Sequence, residues 1–133
     1  MLPAARSGSC LDVLVVEDND DLRDLIAENL RELGHEPVPA RDRASAMRTI
    51  GERPIDVLLT DVALPDGSGI ALASAISEQY PRVPIIISSG YGSALDGTRI
   101  GSAIRSDVLT LPKPFDIEQL RDILAQAQAQ LDR

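Results

Sequence analysis

Apolar and polar positions along this chain follow two alternating rhythms. Short, largely apolar runs cover Leu11–Val16, Ile55–Thr60, Val83–Ser88 and Asp107–Leu111. Runs this short, rich in Val, Ile and Leu, predict strands buried on both faces, as in a parallel sheet. Glu36–Ala40 is weaker, because its two prolines confine it to a sheet edge or to a short strand.

Between these runs the period lengthens to that of a helix. Over Asn19–Leu33, the residues Leu22, Leu25, Ile26, Asn29, Leu30 and Leu33 fall near one stripe, and Gly34 stands where a helix-ending glycine belongs. Asp42–Gly51, Ser68–Gln79 and Asp116–Leu131 repeat the pattern, the last with Asp116 as its N-cap. Ala94–Ile104 is the poorest helix, since Gly97 and Gly101 each cost about 1 kcal/mol relative to Ala in a helix interior. The order is β-α repeated five times. It predicts an α/β domain with right-handed crossovers, a parallel sheet and helices on both faces.

A length of 133 residues suits one domain with its own core. Residues 1–9 read as a loose leader or linker remnant and 10–133 as the domain, with no output domain after Leu131. A formal net charge of −8 argues against a nucleic-acid backbone binder. No apolar run reaches the roughly 20 residues of a membrane span, and Met1–Ser9 lacks a signal-peptide core, so a cytoplasmic protein is expected. Cys10, the one cysteine, has no internal partner and reads as a small apolar filler. His35 reads as structural or exposed.

In such a sheet the functional groups gather at the carboxyl ends of the strands. The first run ends in Glu17-Asp18, the third in Asp61, the fourth in Ser88-Ser89-Gly90-Tyr91, and the fifth leads into Pro112-Lys113-Pro114-Phe115. Three carboxylates, a hydroxyl and an ammonium should therefore converge on one edge. Close carboxylates repel one another, and oxygen ligands with room for water suit Mg²⁺. A carboxylate so placed can attack phosphorus to give an aspartyl phosphate. The transferred group has oxygens that need cationic or donor partners, which Lys113 and Ser89 would supply. Lys113 is the sole lysine among 13 basic residues, and a compact ammonium is not replaceable by a planar guanidinium.

Here the chain resembles the receiver domains of two-component response regulators. The resemblance rests on Glu17-Asp18, Asp61 followed by Leu64-Pro65-Asp66-Gly67, Ser89, and Lys113-Pro114-Phe115, and spans about Leu11 to Leu131. It implies a flavodoxin-like five-stranded sheet of order 2-1-3-4-5. By the same resemblance Asp61 is the phosphoacceptor, Glu17 and Asp18 hold Mg²⁺ with Asp61, and the Ala63 carbonyl is a further ligand. Ser89 and Lys113 would contact the phosphoryl group, and the Lys113–Pro114 bond would be cis. The implied phosphodonor is a histidine kinase or a histidine phosphotransfer protein. The implied output is a conformational shift read by a downstream protein partner, from a monomer or weak dimer.

The chain departs from the family at Thr110, where receivers usually carry a switch aromatic on the last strand. Ile87-Ser88-Ser89-Gly90-Tyr91 instead resembles a subgroup with Phe-Ala-Thr-Gly-Tyr, many of which stand alone or end hybrid histidine kinases. Ser89 with Tyr91 and the Ala94–Ile104 segment would then form the moving element.

Each signal alone has an ordinary reading. Glu17-Asp18 could merely complement a helix dipole, Asp61 and Asp66 could be turn residues, and Lys113 a surface lysine. A Mg²⁺-dependent phosphatase with an aspartyl-phosphate intermediate is the alternative function. It needs a second acid two residues after the nucleophile, and Ala63 cannot supply a proton there. The expectation is a signalling phosphoacceptor whose only chemistry is its own phosphorylation and dephosphorylation.

Overall fold

A computed structural model describes residues 10–89 and 107–132. Its elements in chain order are β1 (Asp12–Val16), α1 (Asp20–Glu32), β2 (Glu36–Ala40), α2 (Arg43–Glu52), β3 (Val57–Asp61), β4 (Ala63–Leu64), β5 (Gly67–Ser68), α3 (Gly69–Gln79), β6 (Ile85–Ser89), β7 (Leu109–Pro112) and α4 (Ile117–Leu131). The predicted helix at 94–104 and Tyr91 lie outside the described residues.

Five strands form one parallel sheet of order β2-β1-β3-β6-β7, which is the 2-1-3-4-5 winding expected. β4 and β5 make a separate antiparallel hairpin between β3 and α3. Alternation along β1 shows why the main strands are largely apolar at both parities. Leu14 and Val16 pack with Leu58, Leu72, Ile76 and Ile85 on one face. Val13 and Val15 pack with Leu30, Leu59, Ile86 and Leu120 on the other. Both faces are covered, so both parities are largely apolar, with buried Thr60 and Ser88 as polar exceptions near the carboxyl ends.

β2 is the edge strand its prolines predict. Glu36 N–H donates to Leu11 O at 2.8 Å, so residues of that parity face β1. Pro37 and Pro39 take the opposite parity, where the missing N–H faces away from the sheet and costs no ladder bond. Gly34 ends α1 at φ +92, letting His35 N–H return to Leu30 O at 2.8 Å. Asp116 caps α4 in a reciprocal pair with Gln119.

One expectation needs correction. Leu25 lies on the predicted apolar stripe of α1 yet is 53% exposed. Cys10 precedes β1 and is half-buried.

Candidate functional site

β1 delivers Glu17 and Asp18 to the carboxyl edge of the sheet. Glu17 N–H extends the ladder to Ala40 O at 3.0 Å. Its side chain turns inward and is nearly fully buried, whereas Asp18 is exposed. Asn19 N–H donates to Glu17 Oε2 at 3.2 Å, and Arg23 Nη1 donates to Glu17 O at 2.8 Å. The N-cap and first turn of α1 therefore hold Glu17 through its side chain and its carbonyl.

β3 delivers Asp61 beside them. Glu17, Asp18 and Asp61 each offer a carboxylate oxygen, and these oxygens lie within 4.8 Å of one another. Lys113 stands against the same group, its Nζ 2.9 Å from Glu17 Oε1 and 3.3 Å from Asp61 Oδ1. Val62 N–H donates to Asp61 Oδ1 at 2.8 Å, which fixes the carboxylate from its own strand end. Burial works against the Lys113 charge, but the Glu17 hydrogen bond and the Asp61 carboxylate outweigh it and hold the ammonium above its ordinary pKa. Three carboxylates against one ammonium leave two net negative charges in a partly buried space. A hard divalent cation with oxygen preference answers that balance, so the donor set fits Mg²⁺.

β7 and the turn after it place the lysine. Lys113 N–H donates to Ser89 O at 2.8 Å, and the Lys113–Pro114 bond is cis, as the resemblance implied. Ser89 is half-buried at the end of β6. The residue in register with Asp61 is Ser88, whose buried hydroxyl has no hydrogen-bond partner among the described residues. Ala63 lies exposed on β4, two residues beyond Asp61. Thr110 is exposed on β7.

Several supporting residues were not singled out from sequence. Thr60 is buried, and its hydroxyl donates to Asp61 O at 2.9 Å. Gly69 opens α3 so close to β3 that a Cβ there would lie 1.8 Å from Asp61 O. Its N–H donates to Val62 O at 2.8 Å. A glycine at the first position of an otherwise ordinary helix was the one available signal for that approach. Arg23 gave none, since it reads as one more charge on a polar face. Asp66, read as a turn residue, uses both oxygens on the start of α2.

Beside the acidic site an apolar cleft of about 350 Å³ runs between α1 and the turn after β7. Leu22, Leu25 and Ile26 form one wall, and Pro114 and Phe115 the other. Lys113 lines both the cleft and the site.

Comparison with known proteins agrees with this geometry. The family model for the response regulator receiver domain matches residues 13–125. The response regulator protein PilR of Pseudomonas aeruginosa is 34% identical over 114 residues, which are 86% of this chain and 25% of PilR. The DNA-binding transcriptional regulator NtrC of Azospirillum brasilense is 29% identical, over 90% of this chain and 24% of its own length. The chain thus spans about a quarter of the length of these curated relatives. The crystal structure of the receiver domain of NtrX from Brucella abortus superposes with a TM-score of 0.77 at 34% identity, covering 89% of this chain and 98% of that domain.

Proposed function

The chain belongs to the response regulator receiver domain family, and on that premise we propose that Asp61 accepts a phosphoryl group from a phosphohistidine. The observation that carries the assignment is the placement of Lys113 against both Glu17 and Asp61, with the Asp18 carboxylate in the same cluster. A structural ion pair needs one acid for one base. Three acids and one base at strand ends make a site for cation and phosphate chemistry.

In this reading Glu17, Asp18 and Asp61 hold Mg²⁺ together with the Ala63 carbonyl. The bound ion supplies positive charge that offsets carboxylate repulsion and the charge of the incoming phosphoryl oxygens. An Asp61 carboxylate oxygen bonds to phosphorus as the phosphorus–nitrogen bond of the donor breaks, and the bonding pair stays on the imidazole nitrogen. Lys113 loses part of its contact with Asp61 and gains a phosphoryl oxygen, which a compact ammonium can do without leaving Glu17. The Ser89 hydroxyl donates to another oxygen, and Tyr91 with Ser89 conveys the change to a downstream protein partner. Ala63 offers no acid to a leaving group, so the phosphatase alternative is not favoured.

The phosphodonor is a histidine kinase or a histidine phosphotransfer protein, and the apolar cleft beside Lys113 suits the apolar face of a helix from it. No described helix is long and apolar enough to cross a membrane. We assign the chain to the cytoplasm and assign this segment, with its net charge of −8, no nucleic-acid contact. Incubation with acetyl phosphate and Mg²⁺ followed by intact mass measurement tests the proposal. A single phosphoryl adduct lost in D61N is expected, and an adduct that survives D61N overturns it.

A further inference from the structure

The stretch after Asp61 is a closed hairpin. Ala63 pairs with Ser68 and Leu64 with Gly67, so Pro65 and Asp66 form a two-residue tip. The base of the hairpin is tied by Gly69 N–H to Val62 O at 2.8 Å. The tip is tied to a different element. Asp66 Oδ1 accepts from Arg43 N–H at 2.8 Å, and Oδ2 accepts from Ala44 N–H at 3.1 Å.

Those two amides open α2 and have no partner within the helix. Asp42, its N-cap, accepts from Ser45 N–H at 2.8 Å, so the two aspartates divide the free amides of the first turn between them. Asp66 also places its charge at the positive end of the helix dipole. The Arg43 side chain closes over the tip. Gly67 sits at φ +150, and a Cβ there would lie 2.6 Å from Arg43 Nη1. A turn aspartate ordinarily bonds its own turn. Here both oxygens serve amides 23 and 22 residues away in sequence, so Asp66 does more than form the bend.

Ala63 lies between the two anchors. A backbone carbonyl has no rotamer of its own, and only the path of the main chain aims it. We propose that Asp66 is a positioning residue for the divalent cation, holding the Ala63 carbonyl in place by tethering the hairpin to the amino end of α2. This rests on the Mg²⁺ site proposed above. Residues that orient a metal's ligands contribute to affinity without touching the metal.

Isothermal titration of the 133-residue chain with Mg²⁺ tests the assignment. D66A should raise the Mg²⁺ dissociation constant roughly tenfold, the low end for an outer residue, because only one of several ligands is released. Its phosphorylation rate at saturating Mg²⁺ should match the parent, since Asp61 and Lys113 are untouched. D66N keeps one acceptor oxygen, is the milder change for folding, and should fall between. D56A is the control. Asp56 Oδ2 accepts from Asp12 N–H at 2.8 Å at the opposite end of the sheet, so it loses a similar bond and should bind Mg²⁺ as the parent does. Unchanged Mg²⁺ affinity in both Asp66 variants, or equal weakening in D56A, overturns the inference alone. A parent chain that binds no Mg²⁺ overturns the functional reading and the inference together.

Discussion

The ammonium of Lys113 sits 2.9 Å from the Glu17 carboxylate, across 96 residues of chain. Glu17 is thereby paired in a nearly buried position, and the ammonium remains within reach of Asp61. Removing the ammonium separates two roles. K113A should slow phosphorylation by acetyl phosphate roughly a hundredfold, the scale for losing one charged donor at a reacting group. Its Mg²⁺ affinity should be equal or higher, because a competing cation is gone. K113R should not restore the rate, since a planar guanidinium cannot occupy a point-charge site. Titration calorimetry beside a phosphorylation time course checks both halves, and a K113A chain that loses Mg²⁺ binding counts against this division.

Gly69 and Gly51 make opposite predictions from one substitution. A Cβ at Gly69 meets Asp61 O at 1.8 Å, and neither backbone can yield. G69A should cost about 3 kcal/mol, as overpacking does. Gly51 lies in α2 with nothing within 4 Å of an added Cβ, so G51A should add about 0.5 kcal/mol by limiting the unfolded chain. Urea unfolding of the two variants decides, and equal effects contradict the packing described here.

Leu25 is exposed on the wall of the cleft beside Lys113. L25E should leave stability and phosphorylation by acetyl phosphate unchanged, because the small donor needs no cleft. Phosphotransfer from a histidine kinase that serves the parent chain should fall at least about tenfold, the effect of a charge in an apolar contact. Equal rates with the protein donor would remove the cleft from the docking surface.

His35 Nδ1 accepts from Leu11 N–H at 3.1 Å, and burial lowers its pKa below the ordinary 6.5. The unfolded chain therefore takes up its proton first as pH falls. The His35 contribution to stability is complete above pH 6.5 and is lost as pH drops from there through the folded value. H35Q, which keeps an acceptor and has no proton to gain, should lose less melting temperature than the parent between pH 7 and pH 5. Parallel melting curves with pH would contradict the burial effect.

Much of this protein was legible in its residues before any fold was known. Strands buried on both faces are largely apolar at both parities, so the four strong runs announced the sheet, and the prolines of Glu36–Ala40 put that strand at an edge. Glu17, Asp18, Asp61 and Lys113 could be gathered on one edge because parallel strands place all their carboxyl ends together. What the residues could not show is anything that depends on a distance between chain-remote backbones. The need for glycine at position 69 comes from where α3 meets β3. The reach of Asp66 to α2 comes from how the hairpin lies against a helix more than twenty residues earlier. Leu25 belongs to an apolar stripe by its period, yet it lies in the open on the wall of the cleft beside Lys113. Periodicity reports which face of an element is apolar, and contact between elements decides which part of that face is covered.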